Sequence, residues 1–272
     1  MSQRAFAPAA LALLTLPLAA PLAAAPVDDL LEALRIEETL TVMRAEGLDY
    51  GDTLAQEMFG GPTRGWDQAV DRIYDMGTMR AAVRAGFDEE LTAEEIEPLI
   101  DFFSSDLGQE VVTLEIEARR AMLDSEVEEA ARDRYAELAG TEDARLAQVS
   151  RFIEVNDLVE QNVSGALNAS FAFYEGLADG GALEMGEAEM LSDIWGQEEE
   201  TRADTVEWVH GYLLMAYGPL SSEELGAYVE MSESPEGGAL NRALFSGFNQ
   251  MYNDISYAMG LAAAGQMAGT DL

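Results

Sequence analysis

The chain has 272 residues, and 48% of them are hydrophobic, which is enough for a core in one or two domains. With 52 acidic residues against 15 basic ones, its formal charge of -37 argues against nucleic acid or an anionic membrane surface as a partner. It contains no lysine and no cysteine, and His210 is its only histidine, which excludes Schiff-base chemistry, thiolate nucleophiles, disulfides and a multi-histidine metal site within one chain.

The first 25 residues have the pattern of a secretory signal peptide. Arg4 provides the positive start, an Ala/Leu-rich run follows, and small residues lead to a cut near Ala24 or Ala25. Three prolines interrupt the run, which disfavours a permanent membrane helix. No later segment is apolar for about 18 residues. We therefore expect a soluble mature chain without an integral membrane segment, exported to the periplasm of a Gram-negative bacterium.

Apolar residues recur at helical spacing along the rest of the chain. Ile96, Leu99, Ile100 and Phe103 lie at i, i+3, i+4 and i+7, and a similar stripe begins at Leu240. No run of β-branched residues with a period of two competes with these stripes. The pattern predicts an all-α protein.

One stretch of the chain occurs twice. The segment LTAEEIEPLIDFFSSDLGQEV from Leu91 aligns without gaps with LSSEELGAYVEMSESPEGGAL from Leu220, an offset of 220 − 91 = 129. The same offset pairs Trp66 with Trp195 (195 − 66 = 129). These matches predict a tandem duplication into two helical repeats, with the boundary in the polar stretch AGTEDAR. The repeats are residues 26–140 and 141–272.

Both copies of this stretch carry the signals of two successive helix starts. A Ser or Thr with Glu three residues later predicts a capping box, and a second Ser followed by a Gly three residues later predicts the start of the next helix. Proline suits the first position of that helix, and a glycine in its first turn allows close approach of a neighbouring backbone. Each copy is therefore predicted to be an αα-hairpin. The predicted structural residues are Thr92, Glu95, Ser105 and Gly108 in the first copy, and Ser221, Glu224, Ser234, Pro235 and Gly237 in the second.

The repeated stretch resembles the signature of the bacterial exported family known as domain of unknown function 2059. That signature has an L-[ST]-x-E-E-L start, an aromatic pair, a Ser-Pro-x-Gly-type turn and a long amphipathic helix. The first copy departs from it at Asp106, where proline is usual, and the second lacks the aromatic pair at Met231-Ser232. The resemblance implies a small exported helical domain without an established activity, so it supplies no functional residue.

The acidic and methionine-rich patterns are the candidates for chemical sites. Glu94-Glu95 and Glu223-Glu224 could provide paired carboxylates, but neighbouring glutamates on a helix point about 100° apart and their positions are those of a helix start. The acidic runs lack the alternating oxygen ligands of a calcium loop, and the methionines fall mostly on apolar stripes. We predict no catalytic residue, no metal site and no cofactor.

Aromatic residues are the candidates for binding. Trp66 and Trp195 are expected to anchor a helix to the hairpin of each repeat or, if exposed, to form a pair of contacts for a partner. His210 is interpreted as a partly buried structural residue, with a ligand or pH-sensing role as the alternative. The speculative binding set is Trp66, Trp195, Trp208, His210 and Tyr212.

These observations favour a non-enzymatic interaction or small-ligand-binding module of the cell envelope. Its partner would be an envelope protein or a small ligand that the sequence does not identify. The first alternative is a carboxylate-dependent envelope hydrolase, which would need two facing carboxyls with separated pKa values. The second is a periplasmic protein that responds to Ca²⁺ or copper.

Overall fold

The computed structural model of the protein describes residues 24–269 and is all-α, with thirteen helices and no strand in that range. The predicted signal peptide lies outside the described residues except for Ala24 and Ala25, which begin the first helix. The helices are α1 (Ala24–Ala33), α2 (Ile36–Phe59), α3 (Arg64–Ile73), α4 (Met76–Glu90), α5 (Ala93–Phe103), α6 (Asp106–Ala121), α7 (Ser125–Leu138), α8 (Ala144–Val155), α9 (Leu158–Asp179), α10 (Glu187–Trp195), α11 (Glu198–Ala216), α12 (Ser222–Ser232) and α13 (Pro235–Met267).

The helices before and after α7 follow the same order. A short helix (α1 or α8) leads into a long one (α2 or α9), and the junction residue is left-handed in both places: Arg35 has φ 50° and Asp157 has φ 51°. A short helix, a longer helix and the hairpin then follow in each half. Residues other than glycine seldom adopt positive φ, so the shared conformation of the two junctions is a specific likeness.

The spacing between the two halves changes along the chain. At the left-handed junctions it is 157 − 35 = 122, whereas at the hairpins it is 129. The difference arises largely because α11 has 19 residues and α4 has 15. The pairing of Trp66 with Trp195 at an offset of 129 is therefore wrong: Trp66 lies in the first turn of α3, and Trp195 is the last residue of α10.

The two hairpins, α5–α6 and α12–α13, share three kinds of capping hydrogen bond. Glu95 accepts from the backbone N–H of Thr92 at 2.8 Å, and Glu224 accepts from that of Ser221 at 2.7 Å. At the second helix start, the hydroxyl of Ser105 accepts from the N–H of Gly108, as that of Ser234 does from Gly237. Both hydroxyls also donate back to a carbonyl three residues earlier.

The glycines of the hairpins are needed for a close backbone contact. A Cβ atom on Gly108 would lie 2.2 Å from the carbonyl oxygen of Phe102, and one on Gly237 would lie 2.2 Å from that of Met231. Atoms at this distance overlap, so a side chain at either position would push the two helices of the hairpin apart.

The two halves share one apolar core. Helix α13, with 33 residues, packs along α9 of its own half and along α4 of the first half. At the crossing with α4 a Cβ atom on Gly86 would lie 2.3 Å from the backbone nitrogen of Gly247. Helix α6 in turn packs on α11, so the corresponding helices of the two halves make reciprocal contacts. This packing leaves a cavity between the halves.

Candidate functional site: a cavity between the two halves

A cavity of about 520 Å³ lies between helices from both halves. Helices α2 and α6 contribute one side, and α8, α9, α11, α12 and α13 contribute the rest. It is larger than the cavities of about 380 and 360 Å³ found elsewhere in the described chain. Small-molecule sites in proteins commonly have this size and combine an apolar lining with a few polar groups.

Glu115 on α6 presents the one carboxyl group in the lining of this cavity. Its Oε1 accepts hydrogen bonds from the hydroxyls of Tyr217 at 2.6 Å and Tyr228 at 3.2 Å. Both tyrosines are buried, with 0% and 7% of their surface exposed. Burial raises the pKa of Glu115 above its ordinary value, although the two hydroxyls favour the charged form and oppose the shift.

The second charged group in the lining, Arg119, is already paired. Its guanidinium donates to both carboxylate oxygens of Glu46 on α2, at 2.8 and 2.7 Å, and to the hydroxyl of Tyr252 on α13 at 3.3 Å. A bidentate pair of this kind fixes both side chains and cancels their charges. Glu115 makes no ion pair with any residue in the range 24–269, so it leaves the polar side of the cavity with an acidic character.

Aromatic rings cover much of the remaining lining. Trp208 and Tyr212 on α11 stack with ring centroids 5.1 Å apart, and the hydroxyl of Tyr212 donates to the backbone carbonyl of Glu115 at 3.0 Å. Tyr217 and Tyr228 meet edge to face at 5.8 Å beside the Glu115 carboxyl. The cavity therefore holds a carboxyl group inside a wall of aromatic rings.

Two buried polar side chains also line this cavity. Asn156 and Ser232 are 6% and 7% exposed, and both line the cavity. The amide of Asn156 donates to the carbonyl of Phe152, and the Ser232 hydroxyl donates to the carbonyl of Tyr228, so each bonds within its own part of the chain. A buried polar residue facing an open cavity is unusual, since apolar residues would fill such a space more favourably.

The predicted binding residues do not share one surface. Trp208 and Tyr212 line the cavity, whereas Trp66, Trp195 and His210 do not. Trp66 is 1% exposed, donates from Nε1 to the carbonyl of Gly51 on α2 at 2.9 Å, and packs edge to face on Phe59. It joins α3 to α2, so its predicted anchoring to the hairpin is wrong, and it cannot form part of an exposed pair.

Trp195 and His210 lie at other places on the molecule. Trp195 is the last residue of α10, and 65% of its surface is exposed. The ring of His210 is half-buried and stacks on Tyr135 of α7 at 4.4 Å, with Nδ1 2.7 Å from the carbonyl of Val206. Burial lowers the pKa of His210.

Glu115 and Tyr228 were not singled out from the sequence. A signal for Glu115 exists: it falls four residues after Val111 and three before Ala118, on the apolar stripe of α6 where a carboxyl is out of place. Tyr228 carries no such signal, because a tyrosine on a buried helix face is ordinary.

Two structural features of the described residues bear on the alternatives. Within residues 24–269 no group of three or more histidine, aspartate or glutamate side chains is arranged to hold a metal ion. No helix in the same range is long and apolar enough to cross a bilayer.

Comparison with known proteins gives one match. Residues 77–137 match the model of a bacterial family described as "Uncharacterized protein conserved in bacteria (DUF2059)". The match covers α4 to α7, including the first hairpin and Glu115, and one copy is found rather than two. No curated protein and no solved structure matches the chain.

Proposed function

We propose that this protein is an exported, non-enzymatic ligand-binding protein of the bacterial cell envelope, and that its ligand is a small, largely apolar molecule held in the cavity between the two halves. The observation that carries the proposal is the Glu115 carboxyl, which faces a cavity of about 520 Å³ and is positioned by the hydroxyls of Tyr217 and Tyr228. Ligand sites typically combine such an apolar wall with a few fixed polar groups.

The proposal includes a tandem duplication of the chain. It is supported by the common helix order, by the left-handed junctions at Arg35 and Asp157, and by the matching hydrogen bonds of the two hairpins. In this view the family model recognises the first copy, while the second has diverged in sequence.

Divergence of the second half would explain where the cavity lies. Three polar cavity residues of the second half correspond to buried apolar residues of the first half. The offset of 122 applies next to the left-handed junction (156 − 122 = 34), and the offset of 129 applies in the hairpin (228 − 129 = 99 and 232 − 129 = 103). Leu34 and Phe103 border a small cavity of about 130 Å³, whereas Asn156, Tyr228 and Ser232 border the cavity of about 520 Å³. The pairs are Leu34 and Asn156, Leu99 and Tyr228, and Phe103 and Ser232.

Export is part of the proposal and depends on the pattern of residues 1–25. A chain with a formal charge of -37 and no cysteine suits an envelope compartment, where thiols are oxidised and solubility must be kept. Fractionation of cells that produce the full chain should recover it, shortened by about 25 residues, from the periplasm.

A hydrolase has less support from the same site. Its mechanism needs a second carboxyl across the cleft to act as base or nucleophile. Glu115 is the one carboxyl in the lining, and Glu46, bound by Nε and Nη2 of Arg119, lines a different cavity. The arrangement favours binding over acid/base catalysis.

The proposed function can be tested by filling the cavity. Asn156→Leu restores the residue type found at the corresponding place in the first half and leaves the Phe152 carbonyl with its backbone hydrogen bond. We expect protein purified under native conditions to carry a small molecule that native mass spectrometry detects, and Asn156→Leu to lose it while remaining folded. Asn168→Leu, on the exposed side of α9, is the matched control and should keep the ligand. Equal occupancy in both variants would contradict the proposal.

A further inference from the structure

We propose that the ligand of this cavity carries a protonated amine or another organic cation on an apolar body, and that the cation binds between the free oxygen of Glu115 and the aromatic rings of α11 and α12. This inference depends on the proposed function, since it specifies the chemical class of the molecule in the same cavity.

The first observation is that one oxygen of the Glu115 carboxyl is unused. Oε1 accepts from both Tyr217 and Tyr228, whereas Oε2 accepts no hydrogen bond from any described residue. A carboxylate has about four lone-pair sites, so the free oxygen can accept further donors. It is the natural position for the N–H groups of an ammonium ion, whose hydrogen bonds to a carboxylate are about twice as strong as neutral ones.

The second observation is the balance of charge at the site. Arg119 and Glu46 cancel each other in a bidentate pair, so the cluster of three charged groups has one negative charge when Glu115 is ionised. The rest of the molecule adds to this field, because the chain carries a formal charge of -37. A field of this sign attracts cations into the cavity and repels anions from it.

The third observation is the orientation of the other polar groups. Three asparagine side chains in the lining use their amide nitrogens as donors to main-chain carbonyls, which leaves their side-chain oxygens free to accept. The pairs are Asn156 with Phe152, Asn162 with Leu158, and Asn241 with Asn156. Tyr212 also donates to a main-chain carbonyl. These groups leave acceptors for a ligand, which again suits a molecule that donates.

The aromatic rings supply the fourth observation. Trp208 and Tyr212 lie in one stacked pair, and Tyr217 and Tyr228 stand edge to face beside the carboxyl. The faces of tryptophan and tyrosine attract organic cations, and this attraction contributes most where water is excluded. A carboxylate surrounded by aromatic rings therefore recognises a cation better than a neutral molecule of the same shape.

The inference is tested with three probes of matched shape on the full chain: phenylbutylamine, phenylbutanol and phenylbutyrate. Calorimetric titration near neutral pH should give the amine about tenfold or more higher affinity than the alcohol, and the acid the lowest. Glu115→Gln keeps an acceptor for the two tyrosines and removes the charge. It should remove the roughly tenfold preference for the amine over the alcohol.

The control is Glu110→Gln, which removes the same charge from an exposed position on the same helix and should change neither affinity. If amine and alcohol bind the native protein equally, and Asn156→Leu abolishes both, the inference is overturned while the proposed function stands. A loss of amine binding in Glu110→Gln equal to that in Glu115→Gln would also overturn it. If none of the three probes binds, the cavity itself is not a ligand site.

Discussion

The carboxyl of Glu115 and the hydroxyl of Tyr217 lie 2.6 Å apart across the interface between the two halves. Glu115 belongs to α6 in the first half, and Tyr217 directly follows α11 in the second. Tyr228 binds the same carboxylate oxygen at 3.2 Å, so one carboxyl joins three helical segments. The hydrogen bonds and the burial of this group act on its pKa in opposite directions, and burial dominates.

This balance predicts how stability depends on pH. Because the pKa of Glu115 is raised above its unfolded value, the folded protein binds the proton more tightly than the unfolded chain does. Its contribution to stability is therefore greatest in acid and is lost as the pH rises above the ordinary value of 4.5 towards the raised one. We expect Glu115→Gln to gain melting temperature relative to the native protein as the pH is raised from about 4 to about 8. Thermal unfolding at several pH values would measure this, with Glu110→Gln as control, and a constant difference would contradict it.

The hairpin glycines predict a large local effect of one methyl group. Gly237→Ala places a Cβ atom 2.2 Å from the Met231 carbonyl, and we expect a loss of about 2 kcal/mol or more in the free energy of unfolding. Gly238→Ala is the control in the next position, where the nearest atom apart from the local helix backbone is Nη1 of Arg242 on the same helix, 3.8 Å away. It should stabilise the protein by about 0.5–1 kcal/mol, the usual gain from replacing an interior helical glycine. Urea unfolding measures the free energy of unfolding of both variants. Similar free energies for the two would show that the close contact is not needed.

The two tryptophans that share an offset of 129 should behave differently. Trp66 is fully buried and hydrogen-bonded to Gly51, so Trp66→Ala should cost about 3–5 kcal/mol in the free energy of unfolding. Trp195 is 65% exposed, and Trp195→Ala should change stability by no more than about 0.5 kcal/mol. Comparable losses in the two variants, measured by denaturant unfolding, would contradict the assigned positions.

His210 gives a pH signal of the opposite sign to that of Glu115. Burial lowers its pKa, so the folded protein binds this proton less tightly than the unfolded chain, and stability falls as the pH drops below 6.5. His210→Phe keeps a ring against Tyr135 and removes the titration, so it should flatten the loss between about pH 7 and pH 5. The single histidine can be followed directly by NMR, and a titration midpoint above 6.5 would be incompatible with this structure.

Features of the fold that depend on neighbouring residues in the sequence could be predicted. Helical spacing indicates the all-α class, and the spacing from Ser105 to Gly108 indicates a helix start, because both follow from local backbone geometry. The correspondence of the tryptophans could not be tested without the helix boundaries. An added turn in α11 changes the register, and nothing in the local pattern marks it.

The position of the cavity could not be predicted from the sequence. Its lining comes from seven helices of both halves, so it depends on how α6 and α11 cross rather than on any motif. Of its polar residues, Glu115 could have been noticed on an apolar stripe. Asn156 and Ser232 read as helix-end residues, and only their burial reveals that they face an open space.

The long helix α13 has a consequence for the order in which the molecule can assemble. It covers α4 at the crossing of Gly86 and Gly247, and it also contacts α3 and α5 of the first half. During synthesis these surfaces emerge more than a hundred residues before the helix that covers them. The apolar face of the first half therefore stays exposed until α13 has been synthesised and packs against it. The cavity forms only in that final step. A chain that stops before Pro235 would have most of the helices of this protein and neither a closed core nor a site.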